Sequence, residues 1–138
     1  MRRIKYLQAL FFVSLFAVTG TFAQGKTVYY VTNYGAKGDG KAFDTKSINA
    51  AITAAADAGG GTVYFPAGNY LSGSIHLKSN IALYLDQGAT LIAADYVPGA
   101  GYDAPEAVVT NKFEDFGHRH WHNSLIWGEN LVDISILG

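Results

Sequence analysis

Apolar and polar residues alternate with period two over three short segments near the middle of the chain, residues 74–77, 81–85 and 89–93. The residues between them, 78–80 and 86–88, belong to types that turn easily. Each segment is therefore predicted to form a short β-strand. Neither connection contains the Asn-Gly or Asp-Gly dipeptide that favours a hairpin. Stacked coils, in which each coil covers the apolar interior of the next, fit this pattern better than a meander.

A helical pattern precedes these strands. Four apolar residues recur at helical spacing and share one face: Ile48, Ala51, Ile52 and Ala55. Asp44 is a suitable N-cap, because its carboxylate can accept hydrogen bonds from the first free helical amides. Gly59 can end the helix in the left-handed conformation. We predict an α-helix over residues 44–58, whose narrow apolar face closes the open end of the stack.

The segments around this helix are predicted as further strands and turns. Residues 28–32 are β-branched and aromatic and should form an opening strand. Residues 33–41 contain three glycines with Asn and Asp, which predicts a tight loop. Residues 62–65 should form a strand, and residues 66–69 a corner, because Pro fixes φ and Gly or Asn tolerates positive φ.

One spacing is repeated later in the chain. Asn80 and Gly88 bracket an apolar alternation, and Asn130 and Gly138 bracket another over the same distance. The alternation starts at a different offset in the two copies, so the repeat predicts a further coil without a fixed register. Residues 95–124 have little regular pattern, and we interpret them as a long excursion out of the stack.

The first 23 residues have the organisation of a signal peptide. Basic residues stand at positions 2, 3 and 5, an apolar run covers residues 6–18, and small residues precede a predicted cleavage after Ala23. The apolar run is shorter than the roughly 20 residues that a membrane span requires. We therefore expect a secreted or periplasmic protein with no membrane partner once the peptide is removed.

Charge and composition narrow the classes of function. The 138 residues suit one small domain and include no cysteine, so neither a disulfide framework nor a thiolate metal site is available. Removing the three basic residues of the predicted signal peptide leaves 7 of the 10 basic residues against 11 acidic ones, a net charge of −4. No basic cluster remains, which argues against nucleic acid as a partner. An acidic polysaccharide would have to be bound by a local basic patch.

The densest set of polar and aromatic side chains lies within the excursion. His118, His120 and His122 alternate, but ligands spaced along one strand converge poorly and no nearby carboxylate motif completes a zinc site. Trp121 offers a flat face to a pyranose, and Arg119 with the histidines can donate to hydroxyls or a carboxylate. We therefore predict substrate contacts at His118, Arg119, His120 and Trp121, with a hydrogen-bonded loop packed on the strands as the alternative. No metal or cofactor is predicted.

The acidic residues do not suggest a catalytic pair. Glycoside hydrolysis uses two carboxylates across the scissile bond. Asp39 is explained by a turn, Asp86 by a corner between strands and Asp133 by an outward strand position. No carboxylate is therefore assigned a catalytic role.

Several segments together resemble the N-terminal region of pectin-degrading glycoside hydrolases of the polygalacturonase type, family 28. The segments are residues 33–40 with Asp44 and Thr45, then 48–55, 59–63, 65–68 and 79–91. The resemblance covers about residues 28–138. It implies an all-β fold, a right-handed parallel β-helix with an N-terminal capping α-helix. It also implies secretion and inverting hydrolysis of galacturonan or rhamnogalacturonan by aspartates, without a metal.

The catalytic motifs of that family are not found in this chain. They are Asn-Thr-Asp, Asp-Asp, Gly-His-Gly and Arg-Ile-Lys on later coils, and the Arg-Ile-Lys at residues 3–5 lies in the predicted signal peptide. Residues 24–138 are thus expected to be the N-terminal part of a β-helix domain. We expect this part to be inactive alone and to pair with the missing C-terminal coils. Two alternatives stay open: a pectate-lyase-like lyase or epimerase, and a non-catalytic glycan-binding β-helix of the tailspike or adhesin type.

Overall fold

The computed structural model describes residues 27–105 and 122–138. The predicted signal peptide lies outside the described residues. Within them, no helix is long and apolar enough to cross a membrane. The described elements are β1 (Val28–Tyr30), a 3-10 helix (Val31–Tyr34), β2 (Asp39–Phe43), α1 (Thr45–Asp57), β3 (Gly61–Phe65), β4 (Gly68–Ser72), β5 (Ile75–His76), β6 (Ile81–Leu85), β7 (Ala89–Ala93), β8 (Ile126–Trp127) and β9 (Ser135–Leu137).

The strands form three parallel sheets. Sheet A has the order β1-β3-β6-β9, sheet B the order β2-β4-β7, and sheet C pairs β5 with β8. Every pairing among the described strands is parallel. The chain therefore visits sheets A, B and C in turn, and each circuit stacks on the one before. The predicted all-β parallel β-helix with stacked coils is confirmed.

The core lies inside these coils. In sheet A, Val63 pairs with Leu83, which pairs with Ile136 on the next coil. Val63 and Leu83 are fully buried, whereas Ile136 is 54% exposed because no described strand covers the outer edge of β9. Burying an aliphatic side chain of this size contributes about 1.5 to 3 kcal/mol. The inward column of such residues is therefore the main source of stability.

Helix α1 closes one end of the stack. Its buried face belongs to the same core cluster as Val31 and Val63, and it contacts β1, β3 and β5. The four predicted face residues are each fully buried: Ile48, Ala51, Ile52 and Ala55. Gly59 has a φ of 92°, as expected of the residue that ends the helix. The predicted helix is thus confirmed to within one residue at each end.

The predicted role of Asp44 as a side-chain cap is wrong. Its carboxylate accepts from the backbone N–H groups of Lys37 at 2.7 Å and Gly38 at 3.0 Å, and from no helical amide. The backbone of Asp44 is already helical, with φ −89° and ψ 0°, which directs its buried side chain back toward the preceding loop. Asp44 therefore fastens the loop before β2 to the start of α1.

Three strands were missed and two were predicted too long. No strand was predicted at β8, and β5 spans only Ile75–His76 of the predicted 74–77. The predicted loop at 33–41 contains the start of β2, and the predicted corner at 66–69 contains the start of β4. Both segments contain residue types that favour turns, and they become strands because β2 and β4 pair in parallel with each other. The opening strand ends at Tyr30, after which the chain turns into the 3-10 helix.

Candidate functional site

One buried serine holds both ends of the excursion. Ser74 is fully buried, and its hydroxyl accepts from the backbone N–H of Asp103 at 3.1 Å. The same hydroxyl lies 2.8 Å from the carbonyl oxygen of Ser124 and 3.1 Å from that of His122, so it donates to one of them at a time. The outgoing and returning segments, residues 101–105 and 122–124, therefore run past one fixed point. We call this point the Ser74 hub.

Helix α1 fixes the position of the hub. The Thr45 hydroxyl donates to the carbonyl oxygen of Ala100 at 2.7 Å and accepts from the N–H of Gly73 at 2.8 Å. A Cβ on Gly73 would lie 2.5 Å from the Ala100 oxygen, so only glycine allows the excursion to pack this closely. The Asn49 side-chain amide donates to Ser74 O at 2.9 Å and accepts from the N–H of His76 at 2.8 Å. Strand β5 is thereby held against the helix.

The hub brings Asp103 against the outer face of sheet C. Parallel pairing places His76 of β5 beside Trp127 of β8. One oxygen of Asp103, Oδ2, lies 2.7 Å from His76 Nε2 and accepts from Trp127 Nε1 at 2.7 Å. The two rings are 5.2 Å apart between centroids. Asp103 therefore joins the excursion to both strands of sheet C.

A second histidine and carboxylate extend this arrangement. The His122 ring lies 4.0 Å from the Trp127 ring, and His122 Nε2 is 2.9 Å from Glu129 Oε1. We call His76, Asp103, His122, Trp127 and Glu129 the Asp103 cluster. It pairs two carboxylates with two imidazoles, so its charge is −2 when both rings are neutral and zero when both are protonated. It is open to solvent, since the His76 and Glu129 side chains are 43% and 63% exposed.

The cluster suits contacts to sugar hydroxyls. Carboxylate oxygens accept hydrogen bonds, and imidazoles can donate or accept according to tautomer. Its five members include no Lys or Arg. Among the described residues, no group of three or more His, Asp or Glu side chains is arranged to hold a metal ion. The described members of the cluster can therefore supply hydrogen bonds to sugar hydroxyls.

The predicted contacts at His118, Arg119, His120 and Trp121 lie outside the described residues, so that prediction remains untested. His122, from the same run, does reach the Asp103 cluster. The sequence analysis missed His76, Asp103, Trp127 and Glu129. His76 and Trp127 carried a usable signal, because both are polar-tipped rings on short apolar strands. Asp103 carried none, because its position depends on the fold of the excursion.

Two other acidic residues have structural roles. Asp39 Oδ1 accepts from the N–H groups of Ala42 and Lys41, both at 2.9 Å, and these bonds lower the pKa of the carboxyl group. A hydrogen bond from the Tyr64 hydroxyl lowers the pKa of Asp86, and the same bond raises the pKa of Tyr64 to about 12. Asp133 lies at a bend with a φ of 54°, so its predicted strand position is wrong.

The fold and this site define a parallel β-helix that is capped by a helix and carries a polar surface on sheet C. The sequence model of the family described as rhamnogalacturonase A/epimerase, pectate lyase-like, matches residues 28–124. The chain belongs to this family.

Individual relatives agree with that assignment. A probable polygalacturonase from Vitis vinifera is 30% identical over 116 residues, which cover 78% of this chain and 22% of the relative. Alginate lyase 7 from Azotobacter vinelandii is 51% identical over 61 residues, 38% of this chain and 7% of the relative. The crystal structure of an exopolygalacturonase from Thermotoga maritima matches with a TM-score of 0.60 at 29% identity, covering 80% of this chain and 23% of that one. The chain thus spans less than a quarter of the length of each.

Proposed function

We propose that this chain supplies the capped first coils and a glycan-contacting surface of a pectin-degrading glycoside hydrolase. The observation that carries the proposal is the family match over residues 28–124, together with the structural match to an exopolygalacturonase over 80% of the chain. The substrate would be a pectic polysaccharide of the cell wall, galacturonan or rhamnogalacturonan. The signal-peptide pattern of residues 1–23 supports export.

The Asp103 cluster is proposed to contact the polymer without cleaving it. Inverting hydrolysis needs one carboxyl group as acid and another as base, on opposite sides of the bond. Asp103 already accepts from Trp127 and lies within hydrogen-bonding distance of His76, and Glu129 lies against His122. These contacts suit side chains that are held to orient sugar hydroxyls. We therefore expect this chain alone to bind pectic polymer and release no products.

Affinity electrophoresis in gels cast with polygalacturonate, with alginate or with no polymer tests this proposal. The purified chain should be retarded by polygalacturonate more than by alginate. A reducing-sugar assay on the same polymers should detect no release above the blank. Equal migration in all three gels would refute the proposed glycan surface, and reducing-end release from polygalacturonate would refute the proposed inactivity of the chain.

A lyase or epimerase is the second candidate, because alginate lyase 7 is 51% identical over the region that it matches. A lyase cleaves by elimination and leaves an unsaturated sugar that absorbs in the ultraviolet. Stronger retardation by alginate, or the appearance of that absorbance, would favour this candidate. Binding to glycans by a longer version of the protein that cleaves none of them would favour a non-catalytic β-helix.

A further inference from the structure

A concave surface is lined by residues that are neighbours in sequence of members of the Asp103 cluster. It is an open, shallow cavity of about 590 Å³ between the end of β7 and the excursion. Its principal lining residues are Ala94, Tyr96, Tyr102, Pro105, Asn123 and Leu125. These side chains are neutral, and apolar or aromatic surface predominates.

The cavity and the cluster are built from neighbouring residues. Tyr102 and Asn123 line the cavity. Asp103, which follows Tyr102, and His122, which precedes Asn123, belong to the Asp103 cluster. The two excursion segments therefore contribute side chains both to the cavity and to the cluster. Because the Ser74 hub fixes both segments, it also fixes the wall of the cavity.

Two tyrosines give the cavity the features of a sugar site. The Tyr102 hydroxyl donates to the carbonyl oxygen of Ala94 at 2.9 Å, which fixes that ring. The Tyr96 ring lies 5.9 Å from it at an angle of 43° and is 71% exposed, the most exposed large hydrophobic side chain in the described chain. A tyrosine this exposed costs the fold little to change and leaves its ring available to a ligand.

We propose that this cavity binds one pyranose unit of a glycan chain. The C–H face of the sugar would pack on Tyr96, and the side-chain amide of Asn123 would donate to and accept from its hydroxyls. None of the lining residues that the structure describes is charged, and the proposed contacts are therefore with the ring and hydroxyls of the sugar. The inference rests on the proposed polysaccharide function and adds a subsite to it.

The test compares Tyr96→Ala with two controls by affinity electrophoresis at several polygalacturonate concentrations. Tyr96→Phe keeps the ring and should bind as the unsubstituted chain does. Tyr84→Ala removes a part-exposed tyrosine from the outer face of sheet A, away from the cavity. Tyr96→Ala should weaken binding by roughly two- to tenfold, the range expected from losing one aromatic contact. Far-UV circular dichroism checks that each variant is folded.

A second comparison tests how the sugar is recognised. The ratio of the dissociation constants of Tyr96→Ala and the unsubstituted chain should be the same on methyl-esterified pectin as on polygalacturonate, because the proposed contacts are with the ring and hydroxyls of the sugar. Binding by the unsubstituted chain that Tyr96→Ala leaves unchanged would refute the subsite and leave the proposed function standing. The absence of binding by the unsubstituted chain would refute both. A ratio that falls to one on esterified pectin would refute recognition through ring and hydroxyls.

Discussion

Replacing Ser74 with alanine removes a buried hydroxyl that hydrogen-bonds to both the outgoing and the returning segment of the excursion. The hydroxyl is fully buried, accepts from the Asp103 N–H at 3.1 Å, and lies 2.8 Å from the Ser124 carbonyl oxygen. Alanine fits the same space but removes the hydrogen bonds to the Asp103 N–H and to the Ser124 carbonyl oxygen. A buried polar group left unsatisfied costs about 1 to 3 kcal/mol. Because these two groups are only partly buried, we expect Ser74→Ala to lower the free energy of unfolding by about 2 to 3 kcal/mol.

Urea denaturation followed by far-UV circular dichroism measures this change, and amide hydrogen exchange at Asp103 reports it locally. The amide of Asp103 should exchange faster in Ser74→Ala. Amides of β3 and β6 should exchange faster only by the amount that the loss of global stability explains. Ser79→Ala is the matched control. Its hydroxyl accepts one exposed bond from the Val132 N–H at 3.2 Å, so its loss should cost less than about 1 kcal/mol.

A Ser74→Ala variant would refute the role assigned to the Ser74 hub if its stability lay within about 0.5 kcal/mol of the unsubstituted chain and its Asp103 amide exchanged at an unchanged rate. A loss of stability equal to that of Ser79→Ala would have the same meaning. In either case the two excursion segments would not depend on Ser74 for their position.

Two further predictions concern carboxylates outside the candidate site. Asp44→Asn should lower the free energy of unfolding by about 2 kcal/mol in urea denaturation, because an amide has one acceptor oxygen for the two N–H groups of Lys37 and Gly38; full stability would contradict the buried contact. Asp86→Asn should lower the pKa of Tyr64 from about 12 toward its ordinary 10.0, measured by NMR titration of the tyrosine rings. The pKa of Asp86 is lowered in the folded state and that of Tyr64 is raised, so their contact should stabilise the fold at pH values between the two pKa values. This stabilisation should weaken as pH falls below 3.8 and as pH rises through about 12. A pKa of Tyr64 that is unchanged in Asp86→Asn would contradict the contact between these two side chains.

The strands that the sequence predicted well are those whose local signals agree. β6 and β7 have the predicted bounds, because alternation, β-prone residues and turn residues coincide there. Asn80 and Asn130 both adopt positive φ, at 64° and 52°, so the repeated spacing marked a repeated turn. β2 and β4 could not be found in this way, because their local residues favour turns and they become strands through pairing with each other.

The candidate site was largely beyond the sequence. Asp103 meets His76 across 27 residues and Trp127 across 24, and no local pattern encodes either contact. Its position follows from the Ser74 hub, which in turn depends on the packing of α1 against β5. His122 was recognised as part of a polar run, but its contacts with Trp127 and Glu129 depend on how the excursion returns to sheet C. Long excursions position side chains through contacts that sequence periodicity does not describe.

The central claim is that successive coils stack in parallel, with apolar residues covering one another inside. Interstrand NOEs measured by NMR across β3, β6 and β9 test it most directly. We expect contacts that place Val63 beside Leu83 and Leu83 beside Ile136, with the evenly spaced pattern of parallel strands. Close Hα–Hα contacts between facing residues, the mark of antiparallel hairpins, would contradict the stacked-coil fold and the glycan surfaces that depend on it.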